Sequence, residues 1–97
     1  MPAYLVARIE VHDEAGFAEY RAQVTPVIAA HGGRYLVRGG AMDVVEGAAP
    51  PGRLVVVEFP DMAAARAFYG SAAYAPVLRL REASARSEVV VVDGVAP

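Results

Sequence analysis

Hydrophobic and polar positions alternate first with a period of two and then with a period near 3.6, and the switch recurs along the chain. From Tyr4 to Val11 one alternate set is Leu5, Ala7, Ile9 and Val11, wholly apolar, which predicts a half-buried strand. The other set is Tyr4, Val6, Arg8 and Glu10, apolar at one end and charged at the other. Asp13 then reads as the N-cap of a helix running to about His31, with Phe17, Tyr20, Val24 and Val27 or Ile28 as its apolar stripe. Pro26 falls inside that stripe and predicts a kink or a split, with Thr25 capping a second segment. Gly32-Gly33 ends the helix, one glycine supplying the left-handed conformation of its C-terminal cap.

A second strand is expected over Arg34–Arg38, Tyr35 and Val37 on one face and Leu36 and Arg38 on the other. Gly39-Gly40 reads as a bulge or bend, Asp43 to Glu46 as a continuation of the strand, and Gly47 to Gly52 as a loop. Arg53 to Phe59 is a third strand. Pro60 stops it and Asp61 caps an alanine-rich helix from Met62 to Tyr69, with Ala64, Ala65 and Phe68 inward. Ser71 caps a further helical stretch through Tyr74 and Leu78 to about Ala83, interrupted by Pro76, and Glu88 to Asp93 is the last strand. The order βαββαβ predicts an α+β, ferredoxin-like fold: an antiparallel four-stranded sheet with its helices on one face, one domain over residues 1–97.

That arrangement leaves the other face of the sheet bare, and a bare antiparallel face should be polar. Here it carries Tyr4, Val6, Leu36, Leu54, Val56 and either Val89 with Val91 or Val90 with Val92. Six to eight such side chains left in water forgo about 1.5–3 kcal/mol each. That sums to about 10–20 kcal/mol as an upper bound against an association cost of about 4–15 kcal/mol, so covering the face with a second copy can be net favourable, and an isologous homodimer is the expected assembly.

Composition narrows the chemistry. The net charge is −2, all nine positive side chains are Arg, and the chain has no Lys, Cys, Trp or Asn. Disulfides, thiolate metal sites, Cys nucleophiles and Schiff-base lysines drop out, and no basic patch for nucleic acid or membrane surfaces is present. No apolar run approaches the length that crosses a bilayer, and the first residues lack a basic leader, so a cytoplasmic location is the expectation. No spacing of His and carboxylates suits a metal, no glycine pattern suits a dinucleotide, and no cofactor is expected.

Charges set in an apolar face must be paired or solvated. Arg8, Glu10, Arg38 and Glu58 are such charges, and they admit two readings. In one they line a polar pocket, Arg8 or Arg38 gripping a carboxylate or enolate and Glu10 or Glu58 acting as general base. In the other they form an Arg–Glu network that fixes dimer register. His31, at a helix C-terminus beside the glycine pair, is the candidate for acid/base work, with Glu58; Arg34 is a further candidate ligand contact or a cap for the helix carbonyls.

The stretch His31-Gly32-Gly33-Arg34-Tyr35-Leu36-Val37-Arg38-Gly39-Gly40 is the most distinctive in the chain. Together with Val45-Glu46-Gly47, Val57-Glu58-Phe59-Pro60, Ala67-Phe68-Tyr69-Gly70-Ser71 with Tyr74, and Val92-Asp93-Gly94, it resembles the domain-of-unknown-function 1330 family over nearly the whole length. The resemblance implies a dimeric α+β barrel and brings no established reaction. The wider barrel superfamily includes cofactor-independent monooxygenases that use Asn and Trp side chains, residue types absent here. Two functional readings follow. One is a homodimer binding a small organic, anionic ligand in a cleft between the sheet and the first helix, lined by Arg8, His31, Arg38 and Glu58, with cofactor-independent acid/base or oxygenase-like chemistry. The other is a non-catalytic dimeric module acting in regulation or stress tolerance through protein contacts.

Overall fold

A computed structural model describes residues 1–96. The chain runs β1 (Ala3–Val11), α1 (Glu14–Ala30), β2 (Arg34–Arg38), β3 (Arg53–Phe59), α2 (Met62–Tyr69), α3 (Ala75–Ser84) and β4 (Ala85–Asp93). The four strands make one antiparallel sheet in the order β2-β3-β1-β4. This is the expected ferredoxin-like architecture, and the two helical stretches expected after the third strand are present as α2 and α3. The sheet stays open, with β2 and β4 as its edges, so the chain alone does not close a barrel.

Local chemistry accounts for the element ends. Asp13 accepts a hydrogen bond from the Gly16 N–H and opens α1, and Asp61 accepts one from the Ala64 N–H and opens α2. Gly32, at φ +77, closes α1: its N–H donates to the Ala29 carbonyl and the Gly33 N–H to that of Ile28, which satisfies two of the orphan carbonyls. Two proline expectations give way. α1 is continuous through Pro26, which is exposed, so the Ala22 carbonyl it leaves without an N–H faces water; Thr25 bonds back to the Arg21 carbonyl instead of capping a new helix. Pro76 lies in the first turn of α3 and starts that helix rather than interrupting it. Ser71 does cap, accepting from the Tyr74 N–H, but it caps a short turn ahead of α3.

The covered face of the sheet presents Leu5, Ala7, Ile9, Val57 and Phe59 to the stripe Phe17, Tyr20, Val24 and Ile28 of α1 and to Phe68, Tyr74 and Val77. The bare face takes Val90 and Val92 from β4, since Val89 and Val91 turn inward. With Tyr4, Val6, Leu54, Val56 and Leu36 they form an apolar surface; Val90 is 60% exposed.

Among the described residues the one register irregularity lies within β2. Tyr35 pairs with Val57 and Val37 with Val56, so Leu36 is an extra residue on the strand. The bulge sits three residues before the glycine pair where the sequence placed it. It also breaks the two-residue alternation, so Arg38 pairs with Val55 and turns to the covered face, not to the bare face with Leu36 as expected. The stretch Asp43 to Glu46 forms no strand and belongs to a loop from Gly39 to Gly52.

Candidate functional site

The bulge has a chemical result. Arg38, Val55, Ala7 and Val89 fall in one row across all four strands, on the face beneath the helices. Three strand spacings make that row about 14 Å long. Its centre is Ala7, whose methyl is the smallest side chain between Leu5 and Ile9, and above it the helices do not fill the space. A cavity of about 100 Å³ remains, floored by this row and roofed by Phe17, Tyr20, Val24 and Ile28. Arg38 reaches it from the β2 edge, its guanidinium 4.7 Å from the centre of the Tyr35 ring. Arg21 and Arg53, which stack on Phe17, also line it.

At the β4 side the wall turns polar. The hydroxyls of Tyr20 and Tyr74 lie 2.9 Å apart, both residues buried, at 8% and 2% exposure. Two hydroxyls bring two protons to one mutual bond, so one O–H remains for something else. Burial, together with the neighbouring Tyr74, pushes the Tyr20 phenol far above its ordinary range, with Arg81 opposing only in part. Tyr20 is therefore a neutral donor. Arg81, from α3, stacks on the Tyr20 ring at 5.8 Å and faces Tyr74 as well. It is only 6% exposed, yet no carboxylate pairs with it among the described residues. Burial alone would lower its guanidinium, but the facing Tyr74 and Tyr20 outweigh that, and the net direction is upward: Arg81 keeps its charge.

Of the residues singled out from the sequence, the cavity brings in Arg38 alone. Arg8 and Glu10 project from the opposite face of β1. Arg8 bonds Glu88 at 2.6 Å, and Glu10 lies opposite Arg86 in the β1–β4 register. Glu58 is also on the bare face, bonded to Arg34 at 2.9 Å. His31 sits beyond the end of α1, its Nδ1 2.9 Å from the Val27 carbonyl and its ring edge-on to Phe68. The expected cleft containing Arg8, His31, Arg38 and Glu58 together is thus not assembled, because the sheet itself separates its members. Among the described residues no cluster of three or more His, Cys, Asp or Glu side chains could hold a metal ion, and no helix is long and apolar enough to cross a membrane.

Arg81, Tyr20 and Tyr74 were missed as a group. A signal for Arg81 does exist: in α3 the buried positions are Val77, Arg81 and Ser84, spaced four and three apart, so a charge stands in the middle of the buried stripe. Treating Pro76 as an interruption hides that stripe.

Comparison with known proteins agrees with the architecture. A family model described as a domain of unknown function (DUF1330) matches residues 2–95. No curated protein matches the chain. Among solved structures, a protein of unknown function from Rhodopseudomonas palustris is similar at TM-score 0.80 and 16% identity, over 99% of this chain and 84% of that one. SnoaB, a cofactor-independent oxygenase from Streptomyces nogalater, is similar at TM-score 0.69 and 18% identity, over 99% and 95%. A dimeric ferredoxin-like protein of unknown function from Jannaschia sp. CCS1 is similar at TM-score 0.68 and 15% identity, over 97% and 100%. At these identities the likeness is one of fold.

Proposed function

This chain belongs to the domain-of-unknown-function 1330 family, and from that premise we propose that it is a homodimer that binds a small organic molecule between its sheet and its helices. The observation that carries the binding half is the unfilled row around Ala7: an apolar space with aromatic walls and a few convergent polar groups, the usual make-up of a ligand site. A volume of about 100 Å³ lies between the ~10–15 Å³ one water needs and the ~150 Å³ hole that admits benzene. The ligand body is accordingly about four carbons. Where the site is catalytic, the Tyr20–Tyr74 hydroxyls are its hydrogen-bond donors and Arg38 and Arg81 its electrostatic groups; a cofactor-independent oxygenase on a similar fold supports that form by analogy.

The dimer half rests on the bare face. Leu36, Val90 and Val92 are 46%, 60% and 49% exposed in one chain, and a similar structure is dimeric. The charges of that face pair with each other within the chain, Arg8 with Glu88 and Arg34 with Glu58. This favours a role for them in keeping register at the assembly face rather than in holding a ligand.

Two measurements test the proposal. An NMR titration with tert-butanol should shift the amides of Ala7, Val55 and Val89 saturably, and Ala7→Leu, which fills the space, should abolish the response. A cavity that gives no saturable shift and is merely stabilised by Ala7→Leu is a packing gap, and the binding half then fails. Sedimentation equilibrium should give twice the 10.2 kDa chain mass, with Val56→Asp converting it to the single mass. A wild-type protein at 10.2 kDa in the micromolar range would overturn the dimer half.

A further inference from the structure

Arg81 is buried without a counter-charge among the described residues. A guanidinium has five N–H groups, and burying one without an acceptor or a counter-charge is costly. Arg81 is 6% exposed and has aromatic faces and a phenol beside it, but no paired carboxylate among the described residues. The other arginines with ion pairs, Arg8, Arg34 and Arg53, are all more exposed and spend their charge on Glu88, Glu58 and Glu14.

The position of Arg81 gives its donors somewhere to point. It lines the apolar cavity, and it also lines a second, more polar hollow of about 390 Å³ at the β4 edge, with Tyr69 and Val89 shared between the two. The second hollow contains a further irregularity. Ser87 lines it, and the Ser87 Oγ is buried with no hydrogen-bond partner. Buried hydroxyls are almost always satisfied, so an orphan hydroxyl in the same hollow as a buried arginine with no ion-pair partner among the described residues marks a place where an acceptor is missing. Glu82 is in the same hollow but is exposed and makes no ion pair with Arg81.

We infer that Arg81 and Ser87 hold the carboxylate of the ligand, so that the molecule bound is a small organic monoacid. Its apolar body lies over Ala7 and its carboxylate reaches past Val89 towards the β4 edge. The guanidinium offers a planar pair of donors that matches the two oxygens of a carboxylate, and Ser87 and the surplus tyrosine O–H supply further donors. The inference rests on the cavity being a ligand site, as proposed above, and it adds the chemical class.

The probes are pivalate and pivalamide, equal in shape, with the four-carbon body the cavity admits and differing in the charge of the head. In wild-type protein pivalate should bind at least tenfold more tightly than pivalamide by NMR titration. Arg81→Met should bring the two to equal affinity, and Ser87→Ala should weaken pivalate severalfold while leaving pivalamide unchanged. Equal binding of the pair by wild type, or a preference that survives in Arg81→Met, overturns the assignment. Should Arg81→Met not fold, the wild-type pair and Ser87→Ala decide the matter. Binding of tert-butanol without preference for pivalate sinks the carboxylate site alone, whereas binding of no probe sinks the cavity reading with it.

Discussion

Replacing Tyr74 by Phe removes one oxygen from a buried hydroxyl pair, and its cost can be reasoned from the neighbours. The Tyr74 hydroxyl lies 2.9 Å from that of Tyr20 and also faces the Arg81 guanidinium. Its loss leaves two buried polar groups short of a partner. Each orphaned group costs about 1–3 kcal/mol, so Tyr74→Phe should destabilise by about 2–6 kcal/mol. Tyr20→Phe takes away one partner only, because Tyr74 keeps Arg81, and should cost about 1 kcal/mol. In the double variant the mutual bond can be lost only once, so the sum of the single effects should exceed the double effect by about 0.5–1.5 kcal/mol. The assay is urea unfolding followed by far-UV circular dichroism at one fixed protein concentration, since a dimer's stability depends on concentration. Against a typical total of about 5–15 kcal/mol these differences are resolvable, and each kcal/mol moves Tm by about 4–8 °C in a domain of this size. Additive single effects would refute the bond. A Tyr74→Phe no worse than Tyr20→Phe would refute the placement of Tyr74 between two polar neighbours.

Two further outcomes follow from the same structure. Burial raises the Tyr20 phenol above its ordinary value near 10, so the folded state holds a proton that the unfolded chain releases as pH rises. The resulting stability is fully present below about pH 10 and declines above it by up to about 1.4 kcal/mol per pH unit; Tyr20→Phe should flatten that alkaline decline in equilibrium unfolding. Gly52 has φ +76, and a Cβ there would clash with the Ile9 carbonyl oxygen on the central strand. Gly52→Ala should therefore cost about 2–4 kcal/mol in urea unfolding, and a change under about 1 kcal/mol would show that the turn relaxes freely.

The paired bare-face charges show why candidate residues were harder to read than elements. A charge in a strand pattern identifies a face, but its partner is set by the neighbouring strand. Arg8 meets Glu88 eighty residues away, and Arg34 meets Glu58 across the β2–β3 pairing. Nothing in either local window distinguishes a salt bridge from a ligand contact. His31 is similar: its place at the end of α1 was legible, whereas its bond to the Val27 carbonyl and its packing on Phe68 come from the turn and from α2.

What the sequence determined by itself is whatever depends on a few consecutive residues. The two-residue and 3.6-residue alternations set the strands and helices, Asp13 and Asp61 set where α1 and α2 begin, and Gly32 sets where α1 ends. The surplus of apolar positions on one strand face was legible too, because seven Leu, Val and Tyr side chains have no helix to cover them. The tertiary structure decided what depends on two distant segments meeting. The Leu36 bulge exists only in the pairing of β2 with β3, and it alone turns Arg38 to the cavity. Arg81 is buried only because α3 packs on α1 and brings it against Tyr20. The cavity itself is a difference in volume between the strand row around Ala7 and the helix stripe that roofs it, a quantity that no single stretch of chain contains.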